Sequence, residues 1–333
     1  MTTAISTLPR SIYLEPTSRC NEFCQQCPRT LLTREDDRDL TYENFLTIVE
    51  QFPVLDRVVL HGLGEPLLNK DLPRMVRYLK DRGTYVLFNS NGIALTATRG
   101  QQLIDAGLDE YRLSMDGSTR ETYAHVRGVD AFDKIWRNIS AFVKLQQAQD
   151  ASKPAVSLWF TAMHENLPEL PGLAEKAAEN GVREIYLQRL VYFEEGLASS
   201  NQALFHRSSA EELAIIRRTH ERCKELGISF KAAGAASPVE SVVRDFGERP
   251  WSGCRRPYDL TYITSSGNVL SCCFAPFGHR SAKEYQEERV LGNVFKEPIE
   301  QIWSGARYNG FRQAFESDHP ARHCAQCGVN WSY

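Results

Sequence analysis

Three cysteines within eight residues, Cys20, Cys24 and Cys27, make the densest chemical grouping in this 333-residue chain. Gaps of three and two residues let one tight loop aim all three sulfurs at a point. Three thiolates can hold three irons of a cubane cluster and leave the fourth iron without a protein ligand. An open metal position of that kind can do chemistry, whereas a closed four-cysteine site is usually structural. The competing use of these thiols is a zinc ribbon pairing Cys24 and Cys27 with Cys324 and Cys327. Such ribbons close over roughly 15–20 residues, and here the two pairs lie at opposite ends of the chain.

Other candidates stand further along. Gly62 and Gly64 let a backbone approach a ligand closely, and Glu65 offers a carboxylate to a cation; a plain tight turn would use the same residues. Ser114-Met115-Asp116-Gly117 is either a polar site or an Asx turn, which Asp-Gly forms readily. Arg127 is a bidentate partner for an anion or a solvated arginine. Gln188, Arg189, Glu194 and Glu195 follow a strand-like run. The glutamate pair there is a solvated surface or, above a cavity, a proton shuttle. Cys223 falls in a helical pattern and reads as a small buried hydrophobe. The eight histidines show no metal spacing.

The elements that position these residues alternate. Strand-like runs at 11–16, 57–60, 85–89, 111–115, 156–162 and 184–190 are separated by helical patterns, several ending at a glycine such as Gly83, Gly107 or Gly181. One β/α unit every thirty to forty residues predicts a parallel sheet, and six units predict an open, partial barrel. The candidate residues all fall where strands end and loops begin, the functional face of such barrels. Ser209 and Glu212 have capping-box spacing ahead of a helix over 210–226. Residues 232–250, rich in Ala, Gly, Ser and Pro, read as a linker, and Ser265-Ser266-Gly267-Asn268 as a hairpin turn. The composition is ordinary for a globular chain: 42% hydrophobic, 24% charged, net charge −3. No basic run suggests nucleic acid, and no window approaches the roughly 20 apolar residues of a membrane span. Nine cysteines clustered at the two ends argue against a secreted disulfide framework, so a cytoplasmic, oxygen-sensitive protein is expected.

From Leu14 to Arg29 the sequence resembles the opening motif of the radical S-adenosylmethionine (SAM) enzymes. The resemblance implies that the open iron of a 4Fe–4S cluster holds the amino and carboxylate groups of SAM. One electron then cleaves the sulfonium and releases a 5′-deoxyadenosyl radical. Gly62, Gly64 and Glu65 resemble the family's Gly-Gly-Glu-Pro motif for the SAM amino group, with the first glycine displaced. Asn91 stands where the family has Thr-Asn-Gly, with Ser90 in place of threonine. Ser114 and Asp116 match a Ser-x-Asp-Gly that contacts SAM, Arg127 matches an arginine that reaches its carboxylate, and Gln188 is grouped with these cofactor residues. Cys254, Cys272, Cys273, Cys324 and Cys327 resemble the SPASM/twitch extension. They are too few for its two auxiliary clusters, so one auxiliary 4Fe–4S cluster on Cys254, Cys272, Cys324 and Cys327 is expected. Cys273 is then the spare, although the choice between Cys272 and Cys273 stays open.

The resemblance covers the chain as an α/β fold. A partial (β/α)6 TIM-type barrel over 1–232 precedes a small α+β auxiliary iron–sulfur domain over 250–333. The favoured substrate is a hydroxyl-bearing small molecule, a sugar or nucleoside of an antibiotic pathway, undergoing 1,2-diol dehydration or oxidation to a ketone. Arg189 is expected to anchor an anionic substrate group and Glu194 to shuttle a proton. A flavodoxin- or ferredoxin-type donor would supply electrons, with neither nucleic acid nor membrane as partner. A peptide- or protein-modifying enzyme is the alternative. It ranks second because only nineteen residues precede Cys20, fewer than a leader-binding domain needs, and because sulfatase maturases use two auxiliary clusters. A non-catalytic metal-binding protein comes third.

Overall fold

The computed structural model describes residues 7–32, 36–234, 237–243, 247, 249–277, 284–325 and 327. Strands β1 (Ser11–Leu14), β2 (Arg57–Val59), β3 (Tyr85–Ser90), β4 (Glu110–Ser114), β5 (Ala155–Ala162), β6 (Glu184–Arg189) and β7 (Ser229–Ala232) pair in sequence, each parallel to the one before. Strand β8 (Leu260–Ile263) returns to the free side of β1, again parallel, from Ser11↔Leu260 to Leu14↔Ile263. Strands β9 (Asn268–Leu270) and β10 (Gly292–Asn293) extend that edge antiparallel. The order is therefore β10-β9-β8-β1-β2-β3-β4-β5-β6-β7, with β7 and β10 as the two edges. The fold is α/β, a partial TIM-type barrel, and its sheet runs on into the C-terminal hairpin.

Helices between the strands cover the outer face, and their sequences show why. In Phe132–Ala148 the buried positions are Phe132, Ile135, Trp136, Ile139, Phe142, Val143 and Gln146, the three- and four-residue spacing of one helical face. Each fully buried Ile or Phe contributes about 1.5–3 kcal/mol, so Phe142→Ala should cost about 3–5 kcal/mol. The helix Ala97–Ala106 stops at Gly107, which takes a left-handed φ of 80° that lets the chain turn into β4. Ser209 and Glu212 form the expected capping box. The β8–β9 turn closes at Gly267, with φ 83°, and Thr264 accepts from Gly267 at 2.9 Å.

Two elements differ from the sequence reading. Strand β7 is a seventh parallel strand, missed because it is only four residues long and exposed on alternate positions. Part of the expected linker, at 235–236, 244–246 and 248, lies outside the described residues. Within the rest, a short helix, Glu240–Val243, buries Ser241 and Val242. Among the described residues no helix is long and apolar enough to cross a membrane.

Candidate active site

The cluster loop leaves the end of β1 and is held there by charged and backbone contacts rather than by apolar packing. Gln25 N–H donates to Val126 at 2.9 Å and Phe23 N–H to Arg127 at 3.2 Å. Gly128, with φ 69°, lies so close that a Cβ there would meet the Phe23 carbonyl at 2.3 Å. Cys20, Cys24 and Cys27 are near enough to raise one another's thiol pKa. Burial is the larger cause, pushing Cys20 up to about 12, and the Arg127 guanidinium opposes it at Cys24 from 3.7 Å. Three thiols with no fourth cysteine in the loop are the donor set of a cluster with one open iron, so these residues fit that group.

The strand-end motifs close around this loop. Glu65, 3% exposed, accepts from Asn91 N–H at 2.7 Å, Ser90 Oγ at 2.8 Å and Leu67 N–H at 3.0 Å. Burial pushes its pKa up to about 7 despite those donors. Asn91 Nδ2 donates to Asn21 Oδ1 at 2.7 Å, tying the end of β3 to the cluster loop. Asp116, fully buried, accepts from Thr161 N–H at 2.7 Å and from Gln26 Nε2 at 2.8 Å. Arg127 is no solvated arginine: it is 8% exposed and ion-pairs with Asp116 and Glu22. Ser114, half-buried, pairs in register with Trp159 at the end of β4. Gln188 faces inward from β6. The two glycines have a reason the sequence did not suggest. A Cβ on Gly62 would meet Glu15 Cγ at 2.3 Å, and one on Gly64 would meet the Thr17 carbonyl at 2.2 Å. Both are needed for the loop to pass β1, whatever ligand it also meets.

At the other end of the chain, Cys254, Cys272 and Cys327 lie close enough to Cys324 to act on its thiol. Burial raises the Cys324 thiol well above its ordinary value, and Cys272, Cys327 and Cys254 add to it. Four thiols in one region are the number of donors a closed cluster takes. Cys273 turns the other way, against Tyr13 and Arg256. Cys223 is wholly buried in the helix Ala210–Glu225, with the other thiols elsewhere in the fold.

The barrel interior is a cavity of about 750 Å³. It runs from His61, Gly62, Leu63 and Gln188 at the carboxyl ends of the strands to Ser11, Arg57, Glu110 and Glu184 at the amino ends. Cys273, Phe274 and Arg256 form part of its wall. Of the expected cofactor residues Gly62 and Gln188 line that wall, and neither residue expected to act on the substrate does. Arg189, 3% exposed, points to the opposite side of β6, where Nε donates to the Ser241 carbonyl at 2.6 Å and Nη2 to Ala233 at 3.2 Å. Strand alternation explains the correction: Gln188 faces the cavity, so its neighbour cannot. Glu194 is exposed on the following loop, with φ 66°, and accepts from Ser200 N–H at 3.2 Å.

In their place the cavity offers residues the sequence reading passed over. Trp159 and Tyr186 stack with ring centroids 4.0 Å apart and planes 14° apart, and the Arg112 guanidinium covers Trp159 at 4.3 Å. His61 contributes an Nδ1 with no hydrogen-bond partner among the described residues; burial, aided by Arg112, pushes its pKa down to about 4. The available signal was polar and aromatic residues at every second position of β4, β5 and β6. Parallel strands covered on both faces are otherwise almost continuously apolar.

Comparison with known proteins agrees with this arrangement. Residues 14–149 match the radical SAM superfamily and residues 254–328 the SPASM iron-sulfur cluster-binding domain. The tungsten-containing aldehyde ferredoxin oxidoreductase cofactor-modifying protein of Pyrococcus furiosus is 26% identical, covering 90% of this chain and 82% of that one. An AdoMet-dependent heme synthase of Methanosarcina barkeri is 26% identical over 97% of this chain and 90% of its own. A PqqA peptide cyclase of Granulibacter bethesdensis is 23% identical over 97% and 81%. Among solved structures, anSMEcpe with bound AdoMet superposes with a TM-score of 0.68 at 15% identity, over 93% of this chain and 81% of that one. At that identity the likeness concerns the fold. The chain thus carries a radical SAM domain joined to a SPASM domain, with SAM, a SAM-binding 4Fe–4S cluster and auxiliary iron–sulfur as cofactors.

Proposed function

We propose that this radical SAM enzyme modifies a peptide or protein side chain seated in the barrel cavity. The observation that carries the reading is the shape and lining of that cavity. It follows β3 from Tyr85 to Asn89, about 13 Å at about 3.3 Å per residue. Its wall carries Arg57, Arg112, Lys231 and Arg256 together with Glu110 and Glu184. A long channel with both charge signs suits an extended chain with varied side chains, and is far larger than one sugar ring requires. The peptide cyclase relative spans nearly the whole chain. The peptide cyclase and cofactor-modifying relatives favour this reading over the antibiotic-sugar one.

When bound, the cluster supplies the electron that cleaves SAM and generates the 5′-deoxyadenosyl radical. The chain's own residues would orient the cosubstrate. Glu65 and Asn91 would accept from its ammonium end, Arg127 would meet its carboxylate, and Ser114, Asp116 and Gln188 would hold its ribose side. Cys20, Cys24 and Cys27 would hold the SAM-binding cluster, and Cys254, Cys272, Cys324 and Cys327 the auxiliary one. Trp159 and Tyr186 would exclude water from the reacting carbon and seat the substrate side chain.

A second reading, a flat conjugated ring bearing carboxylates, is favoured by the Arg112–Trp159–Tyr186 stack and by the heme synthase relative. One experiment separates the classes. The reconstituted enzyme is supplied with SAM, dithionite and deuterated candidates: peptides encoded beside the gene, an iron porphyrin, and aminosugars. The 5′-deoxyadenosine is then weighed. Deuterium taken from a peptide supports the proposal; deuterium taken only from a porphyrin or a sugar overturns it.

A further inference from the structure

The guanidinium of Arg256 stands between the auxiliary cysteines and the barrel cavity. It opens the short helix Arg256–Asp259, two residues after Cys254, and is 6% exposed. Its Nη1 donates to Cys254 Sγ at 3.8 Å, and the group covers the Phe274 ring at 5.2 Å from the centroid. The same side chain lines the cavity beside Tyr13 and Cys273. An arginine placed in this way is a fixed positive charge, since the guanidinium does not deprotonate in proteins.

Another cation near these thiols is differently placed. Arg289, 2% exposed, lies on the Cys324 side and within 3.5 Å of Glu284, with Glu288 also acting on it. Carboxylates there offset much of its charge.

We infer that Arg256 raises the reduction potential of the auxiliary cluster, from the side of that cluster that faces the cavity. The inference rests on reading Cys254, Cys272, Cys324 and Cys327 as the cluster's ligands. Reduction adds one electron to a group already made negative by its four thiolates. A buried cation at the ligand shell favours that reduced form, because Coulomb energies are large where water is excluded. A hydrogen bond to a ligating sulfur acts in the same direction.

The test uses the full chain with Cys20, Cys24 and Cys27 changed to alanine, so that only the auxiliary cluster remains. After anaerobic reconstitution this background should hold about four irons, and its midpoint is read by mediated titration with dithionite under EPR. Arg256→Gln and Arg256→Met should shift the reduction equilibrium about tenfold toward the oxidised form, about 59 mV lower for one electron. Arg256→Lys, which keeps the charge, should stay closer to the parent, and Arg289→Gln should move the midpoint less than either neutral variant. Full iron with an unmoved midpoint in both neutral variants would reduce Arg256 to a packing role and overturn the inference. Iron kept by Arg256→Lys but lost by both neutral variants would place the residue in assembly instead, and also overturn it. A background without iron would take the ligand assignment down with it, an outcome distinct from the other two.

Discussion

Arg127 Nε lies 2.9 Å from an Asp116 carboxylate oxygen, with the two side chains 9% and 0% exposed. The pair joins the end of β4 to the helix Arg120–Arg127 that supports the cluster loop. Removing one partner strands a buried charge. Arg127→Ala should therefore cost about 3–5 kcal/mol, measured by denaturant unfolding of the iron-free protein. The double variant Arg127→Met/Asp116→Asn should cost less than the single one. Equal costs would mean that the carboxylate finds another partner.

Gly64→Ala tests the backbone crossing. Its Cβ would sit 2.2 Å from the Thr17 carbonyl and 2.5 Å from that of Arg19, neither of which can move without moving β1 or the cluster loop. A loss of about 1–3 kcal/mol is expected from overpacking, with impaired iron retention on reconstitution. Gly310→Ala is the control. It lies inside the helix Ala306–Glu316 with nothing within 4 Å of the added methyl, so it should stabilise by about 0.5–1 kcal/mol. If both variants behave alike, the crossing is not what requires glycine.

Glu65 gives a pH dependence. Burial raises its folded pKa from 4.5 to about 7. The folded state therefore keeps a proton that the unfolded state has already lost between those values. This contribution to stability is complete below pH 4.5 and disappears as pH rises through 7. The difference is up to about 3 kcal/mol at 1.36 kcal/mol per unit. Thermal unfolding of the iron-free protein from pH 4.5 to 8 should show the decline, and Glu65→Gln should remove it. A slope unchanged by the substitution would assign it to another group.

Glu194 and Arg189 should part company. Glu194→Gln, at an exposed loop position, should leave SAM cleavage and product formation unchanged. Arg189→Ala releases the Ser241 and Ala233 carbonyls and should lower stability by about 1–3 kcal/mol. Loss of turnover in Glu194→Gln with the fold intact would return it to the mechanism.

What the sequence revealed, and what it hid, follows from range. The β/α alternation, the glycine stops and the cysteine spacings are local patterns, and they led to the barrel and to both thiol sets. The inward register of β6 is not local. Gln188 and Arg189 are neighbours in the chain, and only the pairing Thr161↔Gln188 fixes which of them faces the cavity. Trp159 and Tyr186 meet across two strands, and a single segment carries no mark of such a partner. Glu15 is similar: its carboxylate accepts from Leu63 N–H at 2.8 Å, Tyr262 OH at 2.8 Å and Ser265 Oγ at 2.9 Å. It reads as one acidic residue in a strand and acts as a junction of three segments.

The pairing of β1 with β8 sets a timetable for biosynthesis. The strand that presents the cluster loop is completed only by a segment about 250 residues later in the chain. At about 5–20 residues per second, the ribosome needs roughly 12–50 seconds to supply it. Until then one side of β1 has no partner, and the carboxylate of Glu15 lacks the donors that Tyr262 and Ser265 supply. Iron delivered to Cys20, Cys24 and Cys27 during that interval would meet a loop whose strand is half-paired. Loading of the cluster onto a fully paired β1 thus waits until the chain has been made as far as Ser265.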